Sequence, residues 1–190
     1  GTIDTARLAA QSASVNVEVV DAMRNTLSLG LIVRYLSQLR AKGTSFAQLV
    51  QAAREIHPKV DIVFSVDSLK NLVKGGRTGK AVGLAAALLD IKPILTVDDD
   101  GEVVQLAKVR SMKRAVNKLA DNAELLVERL GALEGYFVHV RNLDACLRLK
   151  QVFAERGIAF RELGIKQVGP IIATHVGLGT VGFAYIAQDA

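Results

Sequence analysis

The sequence predicts an α/β chain in two parts. Residues 1–57 read as the C-terminal part of a parallel-sheet α/β domain. Residues 58–190 read as an α+β domain with a mixed, largely antiparallel sheet. Three observations lead there. Strand-like and helix-like patterns alternate up to about His57. Beyond Val60 the β-branched runs flank Asp98-Asp99-Asp100-Gly101, a strong hairpin signal. Aromatic residues make up only 5% of the chain and Trp is absent, so the core is built from Ala, Val, Leu and Ile, which suits helices packed on a sheet.

The elements follow in order. Thr2 to Ala13 reads as a helix with Leu8 and Ala9 on its apolar face, and Val15 to Asp21 alternates as a strand does. Leu27 to Lys42 is a helix stopped at Gly43. Thr44 or Ser45 then caps a helix carrying Phe46, Leu49, Val50 and Ala53, which ends before Pro58. Val60 to Val66 is a strand, followed by a short helix through Leu69 and Leu72 that ends at Gly75-Gly76. Lys80 to Leu89 is a small-residue helix. Ile91 to Val97 and Glu102 to Arg110 are the hairpin strands, and Ser111 caps a long amphipathic helix to about Leu130. Strand Tyr136 to Val140, helix Leu143 to Arg156 and strand Ile158 to Leu163 come next. Val168 to Thr174 and Val181 to Ile186 are expected as strands around a glycine-rich turn.

Composition narrows the function classes. The formal net charge of +5 is mild, no helix-turn-helix pattern is visible, and few aromatic rings are available to stack bases, so nucleic acid is not the expected partner. No apolar run reaches the length of a membrane span; the most apolar stretch, Ala81 to Leu95, is broken by Asp90, Lys92 and Pro93. No leader peptide is visible behind Gly1, and Cys146 is the single cysteine, so a cytoplasmic location is expected. Cys146 falls on the core side of a helix and reads as a buried hydrophobe.

Two phosphate-loop lookalikes fail. In Lys74-Gly75-Gly76-Arg77-Thr78-Gly79-Lys80-Ala81 the first glycine of a P-loop is replaced by Lys74, and Ala81 stands where a magnesium-binding hydroxyl is needed. Gly177-x-Gly179-x-x-Gly182 matches the dinucleotide spacing, but too few residues follow for the helix and the ribose-binding acid. His57, His139 and His175 are far apart and lack neighbouring ligands, so neither a metal nor a cofactor is expected.

The candidate site residues are those able to meet a buried anion. Gly1 and Thr2 offer backbone N–H groups at a helix start, and Thr2 adds a hydroxyl. Arg77 follows two glycines that let the backbone turn and aim its guanidinium. Arg110 stands just before a helix start, where the dipole disfavours a cation. His175 precedes a glycine-rich turn and can donate to a carboxylate or move a proton. His139 reads as structural. The apolar stretches Ala81 to Leu89 and Ile91 to Leu95 suit the wall of a tunnel for an alkyl chain, or simply core.

Five segments together resemble the DegV family of bacterial fatty-acid-binding proteins. They are the opening Gly1-Thr2; Val19-Val20-Asp21 with Ser28-Leu29-Gly30-Leu31; and Leu69-x-x-Leu72-x-Lys74-Gly75-Gly76-Arg77-x-Gly79. Leu89-x-Ile91-Lys92-Pro93-Ile94-Leu95 follows, with Asp100-Gly101 and Lys108-Val109-Arg110, and last His175-Val176-Gly177-x-Gly179-Thr180-Val181-Gly182. Ala22 departs from the family's usual Ser, Thr26 and Ser28 from its Ser and Gly, and Leu178 from its Pro. The family's N-terminal third, with its Thr-Ser-rich ligand loop, has no counterpart here.

The resemblance implies a DegV-like two-domain fold. It also implies a carrier without catalysis of its own, which buries one long-chain fatty acid and presents the carboxylate to a fatty acid kinase for acyl-phosphate formation. In that reading Gly1, Thr2 and His175 meet the carboxylate, while Arg77 and Arg110 serve partner docking or phosphoryl transfer. The competing expectation is a small hydrolase or phosphotransferase using His175, Arg77 and Arg110, although no nucleophile with an adjacent base is evident.

Overall fold

The computed structural model describes residues 1–78 and 91–188. The small-residue helix expected over Lys80 to Leu89 therefore lies outside the described residues. Helix α1 spans Thr2–Gln11, α2 Thr26–Ala41 and α3 Phe46–Glu55, where Ser45 accepts from the Gln48 amide as an N-cap. A short 3-10 turn, His57–Lys59, leads into β1, Val60–Ser65, and α4 spans Lys70–Lys74. Strands β2, Lys92–Val97, and β3, Val103–Val109, form the expected hairpin. The Asp98 carboxylate accepts from the amides of Asp100 and Glu102, and Gly101 takes the positive φ of +78° that closes the turn.

Helix α5 spans Met112–Leu130 behind the Ser111 cap. Strand β4, Leu133–His139, helix α6, Leu143–Glu155, and strand β5, Phe160–Gln167, form a βαβ unit whose two strands pair in parallel. Helix α7 spans Pro170–Val176 and strand β6 Val181–Ala187. Among the described residues, six strands form one sheet in the order β3-β2-β1-β6-β4-β5, and every pairing except β4 with β5 is antiparallel. This is the mixed, largely antiparallel sheet that the sequence predicts.

Two cores flank the sheet. On one face α5 and α6 bury Leu119, Ala120, Leu149 and Phe153 against Val63, Ile94, Phe137 and Phe183. There Phe137 and Phe153 meet edge to face, with ring centroids 5.0 Å apart. On the other face Leu31 and Ile32 of α2 and Leu72 of α4 pack on Ile62, Phe64, Leu95, Val97, Val138 and Ala184. Arg34 of α2 pairs with Glu134 of β4, whose carboxylate is also held by Arg161 of β5. Alternation along β1 thus sends Val63 to one core and Ile62 and Phe64 to the other.

Two sequence expectations are corrected. Val15 to Asp21 is not a strand: among the described residues no strand pairs with it, and Val15 and Val17 face solvent. Alternation marks an extended segment, but a strand also needs a ladder partner. Val168 to Thr174 is not a strand either. Gly169 and Pro170 start α7, and Gly177, at φ +82°, ends it. The β-branched composition of that stretch gave way to terminal signals at both ends.

Candidate functional site

The second face carries a cavity of about 590 Å³, within the usual range for small-molecule sites. Its floor is the sheet, through Ile62, Phe64, Val97, Val103 and Val138. Leu72 and the apolar face of α7, with Ile172 and Val176, form one wall. Polar groups enter from several segments: Thr2, Asn25 and Thr26, Arg77, Glu102, and His175 with Thr180.

The Arg77 and His175 corner is built by two sequence motifs that interlock. Helix α4 ends in a Schellman arrangement: the Gly76 amide donates to the Val73 carbonyl at 3.1 Å and the Arg77 amide to the Leu72 carbonyl at 2.9 Å. Gly76 takes φ +62° there, which glycine adopts freely. Gly75 serves a different need. A Cβ at that position would stand 2.6 Å from His175 Nδ1, so only glycine lets the imidazole lie against the end of α4. The contact continues antiparallel along the two segments, Gly177 meeting Asn71 and Gly179 meeting Asp67.

His175 Nδ1 is buried and has no hydrogen-bond partner among the described residues. A buried ring nitrogen without a partner is costly, and the ring lines the cavity. Nδ1 itself is turned toward Gly75, while the imidazole as a whole lines the cavity, and an imidazole N–H can donate to a carboxylate. The loop behind it is fixed. Thr180 Oγ1 donates to the Gly177 carbonyl at 2.9 Å, and Asn142 Nδ2 donates to the Gly179 carbonyl at 2.7 Å. His139 is buried beneath this loop, where its Nδ1 accepts from the Asn142 amide and desolvation lowers its pKa, in keeping with a structural role.

Of the residues singled out in the sequence, Thr2, Arg77 and His175 share this cavity. Gly1 and Arg110 are not among its lining residues. Gly1 caps α1. Arg110 is exposed at the end of β3. Of the Ile91 to Leu95 stretch, Ile94 is buried in the core of the opposite face and Leu95 in the core on the cavity side with Ile62 and Phe64, while Val97 of β2 lines the cavity. Sequence reading missed Asn25, Thr26 and the contribution of α7. The Gly169-Pro170 start and Gly177 stop were the available signals for α7.

Cys146 is fully buried and its thiol is pushed up to about 12, chiefly by burial, which leaves it unreactive near neutrality. Among the described residues no group of His, Cys, Asp and Glu is arranged to hold a metal ion, and no helix is long and apolar enough to cross a membrane.

Comparison with known proteins gives consistent results. A family model described as "Uncharacterised protein, DegV family" matches residues 1–188. A DegV domain-containing protein of Deinococcus radiodurans is 35% identical over 185 residues, which is 97% of this chain and 65% of that protein. The chain therefore spans just under two-thirds of this relative's length. Among solved structures, that of a fatty-acid-binding DegV family protein from Thermus thermophilus is similar with a TM-score of 0.91 and 30% identity, covering 99% of this chain and 67% of that one. A fatty acid binding DegV family protein from Streptococcus agalactiae gives a TM-score of 0.88 and 26% identity over 97% of this chain and 65% of that one.

Proposed function

Because the chain belongs to the DegV family, we propose that its cavity on the α7 side of the sheet holds the acyl chain of one long-chain fatty acid. The carboxylate lies against His175 and is presented to a partner fatty acid kinase for acyl-phosphate formation. The single observation that carries this reading is that His175, Thr2 and Arg77 line one largely apolar cavity on the sheet. The tail needs only apolar walls: burial at about 0.8 kcal/mol per CH₂ gives a long chain roughly 10 kcal/mol of gross stabilisation. The head group needs donors, and His175, Thr2 and Arg77 supply them on the same cavity. Charge orients the ligand further. Arg77 stands near His175, while Glu102 lines the cavity beside the β2–β3 turn and repels a carboxylate.

In this reading residues 1–57 are the C-terminal part of a first DegV α/β domain and residues 58–190 the second. Arg77 and Arg110 serve the partner or the transferring phosphoryl group more than the bound acid. The enzyme reading is weaker, since Arg110 does not line the cavity that His175 and Arg77 share. Native mass spectrometry of gently purified protein tests the carrier. A bound mass matching a fatty acid, lost when His175 is changed to Ala, supports it. Turnover of an ester or phosphate substrate by the isolated chain, without a lipid adduct, would replace it with the enzyme.

A further inference from the structure

We infer that Arg24 is a specificity-determining residue: it rivets the segment before α2 over the β2–β3 end of the cavity and so limits the length of acyl chain that fits. This rests on the fatty-acid reading, with the carboxylate at His175.

The Arg24 side chain is only 3% exposed, yet it belongs to a connecting segment. Its guanidinium joins three separate pieces of chain. Nε donates to the Val60 carbonyl at 2.7 Å, one terminal nitrogen to the carbonyls of Asp98 at 3.1 Å and Met23 at 3.0 Å, and the other to the His57 carbonyl at 3.0 Å. Asp61 and Asp99 each place a carboxylate oxygen 3.7 Å from it. Only a planar, five-donor group satisfies acceptors spread this way; an ammonium does not.

The backbone beside Arg24 is strained. Met23 has φ +48° and Thr26 φ +45°, and for a β-branched Thr this is a rare state that persists only where the surroundings impose it. Arg24 supplies that imposition, and its two successors, Asn25 and Thr26, line the cavity. On the other side of Arg24, the Met23 backbone and sulfur lie against Gly101.

Position within the sheet then gives the role. Val60 is the first residue of β1 and Asp98 follows the last residue of β2, so the rivet sits at one end of these strands. Thr180 and the loop that carries His175 precede β6, whose first residue pairs with the last residue of β1. The two ends are separated by the length of β1, on the order of 20 Å at about 3.3 Å per residue. A carboxylate at His175 sends the methyl end of the ligand toward Asn25 and Thr26, whose segment Arg24 holds from outside the cavity. A rivet that fixes this end fixes the longest tail the cavity accommodates.

The experiment offers the chain an equimolar mixture of saturated fatty acids from dodecanoic to docosanoic acid and reads the bound lengths by native mass spectrometry. Arg24→Ala is compared with wild type, and Arg24→Lys, which keeps the charge beside Asp61, provides a variant that folds if Ala does not. Amide hydrogen exchange over residues 21–29 is read in parallel. Both variants should speed exchange in that segment and raise the ratio of icosanoic to hexadecanoic acid bound by about tenfold. Unchanged length ratios alongside normal lipid uptake overturn this inference and leave the carrier reading intact. Unchanged exchange over residues 21–29 overturns it as well. Failure of the wild type to take up any acid overturns the carrier reading, and the inference with it.

Discussion

Gly75 and His175 are fitted to each other: the imidazole occupies the space where any larger residue at position 75 would place its Cβ, 2.6 Å from Nδ1. The pairing joins the end of α4 to the end of α7 and sets the ring that faces the cavity. Gly75→Ala should therefore displace the ring while the rest of the fold persists, since position 75 is at the surface and its φ is ordinary. Fatty-acid affinity is expected to fall about tenfold or more, equivalent to ~1.4 kcal/mol, with little change in the thermal midpoint. Calorimetric titration with hexadecanoic acid checks this, and undiminished affinity would show that the ring position does not matter.

Asp61 gives a pH signature. Burial outweighs the attraction of Arg24 and the bonds from Ile62 and Thr96, and raises its pKa from 3.8 to about 6. Between those two values the folded chain holds a proton that the unfolded chain has lost. Stability contributed by this group is therefore full below the lower value and falls as pH rises through the window, the reverse of an ordinary salt-bridged carboxylate. The loss is at most roughly 3 kcal/mol at ~1.4 kcal/mol per unit. Denaturant melts of wild type and Asp61→Asn between about pH 4 and pH 7 should differ in slope by this amount, and parallel curves would exclude it.

Arg141 adopts φ +51° in the turn between β4 and α6, held by the neighbouring bonds of Val140 and Asn142 to the Thr180 and Gly179 backbone. Asn tolerates this left-handed conformation better than Arg does. Arg141→Asn is expected to stabilise the chain by about 0.5–1 kcal/mol, a rise of ~1–4 °C in the thermal midpoint. Scanning calorimetry decides the sign.

The roles proposed for Arg77 and Arg110 would separate binding from presentation. Tail burial supplies most of the ligand affinity, so Arg77→Ala and Arg110→Ala should both retain bound fatty acid. If a fatty acid kinase is the partner, as proposed, acyl-phosphate formation is expected to weaken by roughly 2–4 kcal/mol in coupled turnover. Lipid content and acyl-phosphate yield, measured side by side in each variant, test the division. Loss of lipid from both, or normal phosphorylation by both, would refute it.

Local signals were legible wherever the chain specifies its own partners. The β2–β3 turn carries its ligands within Asp98 to Glu102, and Ser111 caps α5 from an adjacent position. Expectations failed where the outcome depended on distant residues. Val15 to Asp21 has the alternation of a strand without a described neighbour to pair with. In the site, the Gly75-Gly76-Arg77 and His175 to Gly179 motifs were visible separately, but nothing in either reveals that they dock on one another. Arg24 and Asp61 were missed for the same reason: a buried cation announces itself only through the carbonyls that a fold gathers around it.

The place of β6 bears on how the chain acquires its shape during synthesis. This strand is the latest of the six in sequence, yet it lies in the middle of the sheet and pairs with β1 on one side and β4 on the other. The β1–β2–β3 meander and the β4–α6–β5 unit can each form as soon as they leave the ribosome, but each then presents an open edge that only β6 covers. Two half-sheets thus wait for one late arrival, and contacts this remote in sequence form slowly. A chain truncated before Val181 should hold both halves as separate, aggregation-prone pieces, and adding a peptide that carries Val181–Ala187 should knit them in a single cooperative step.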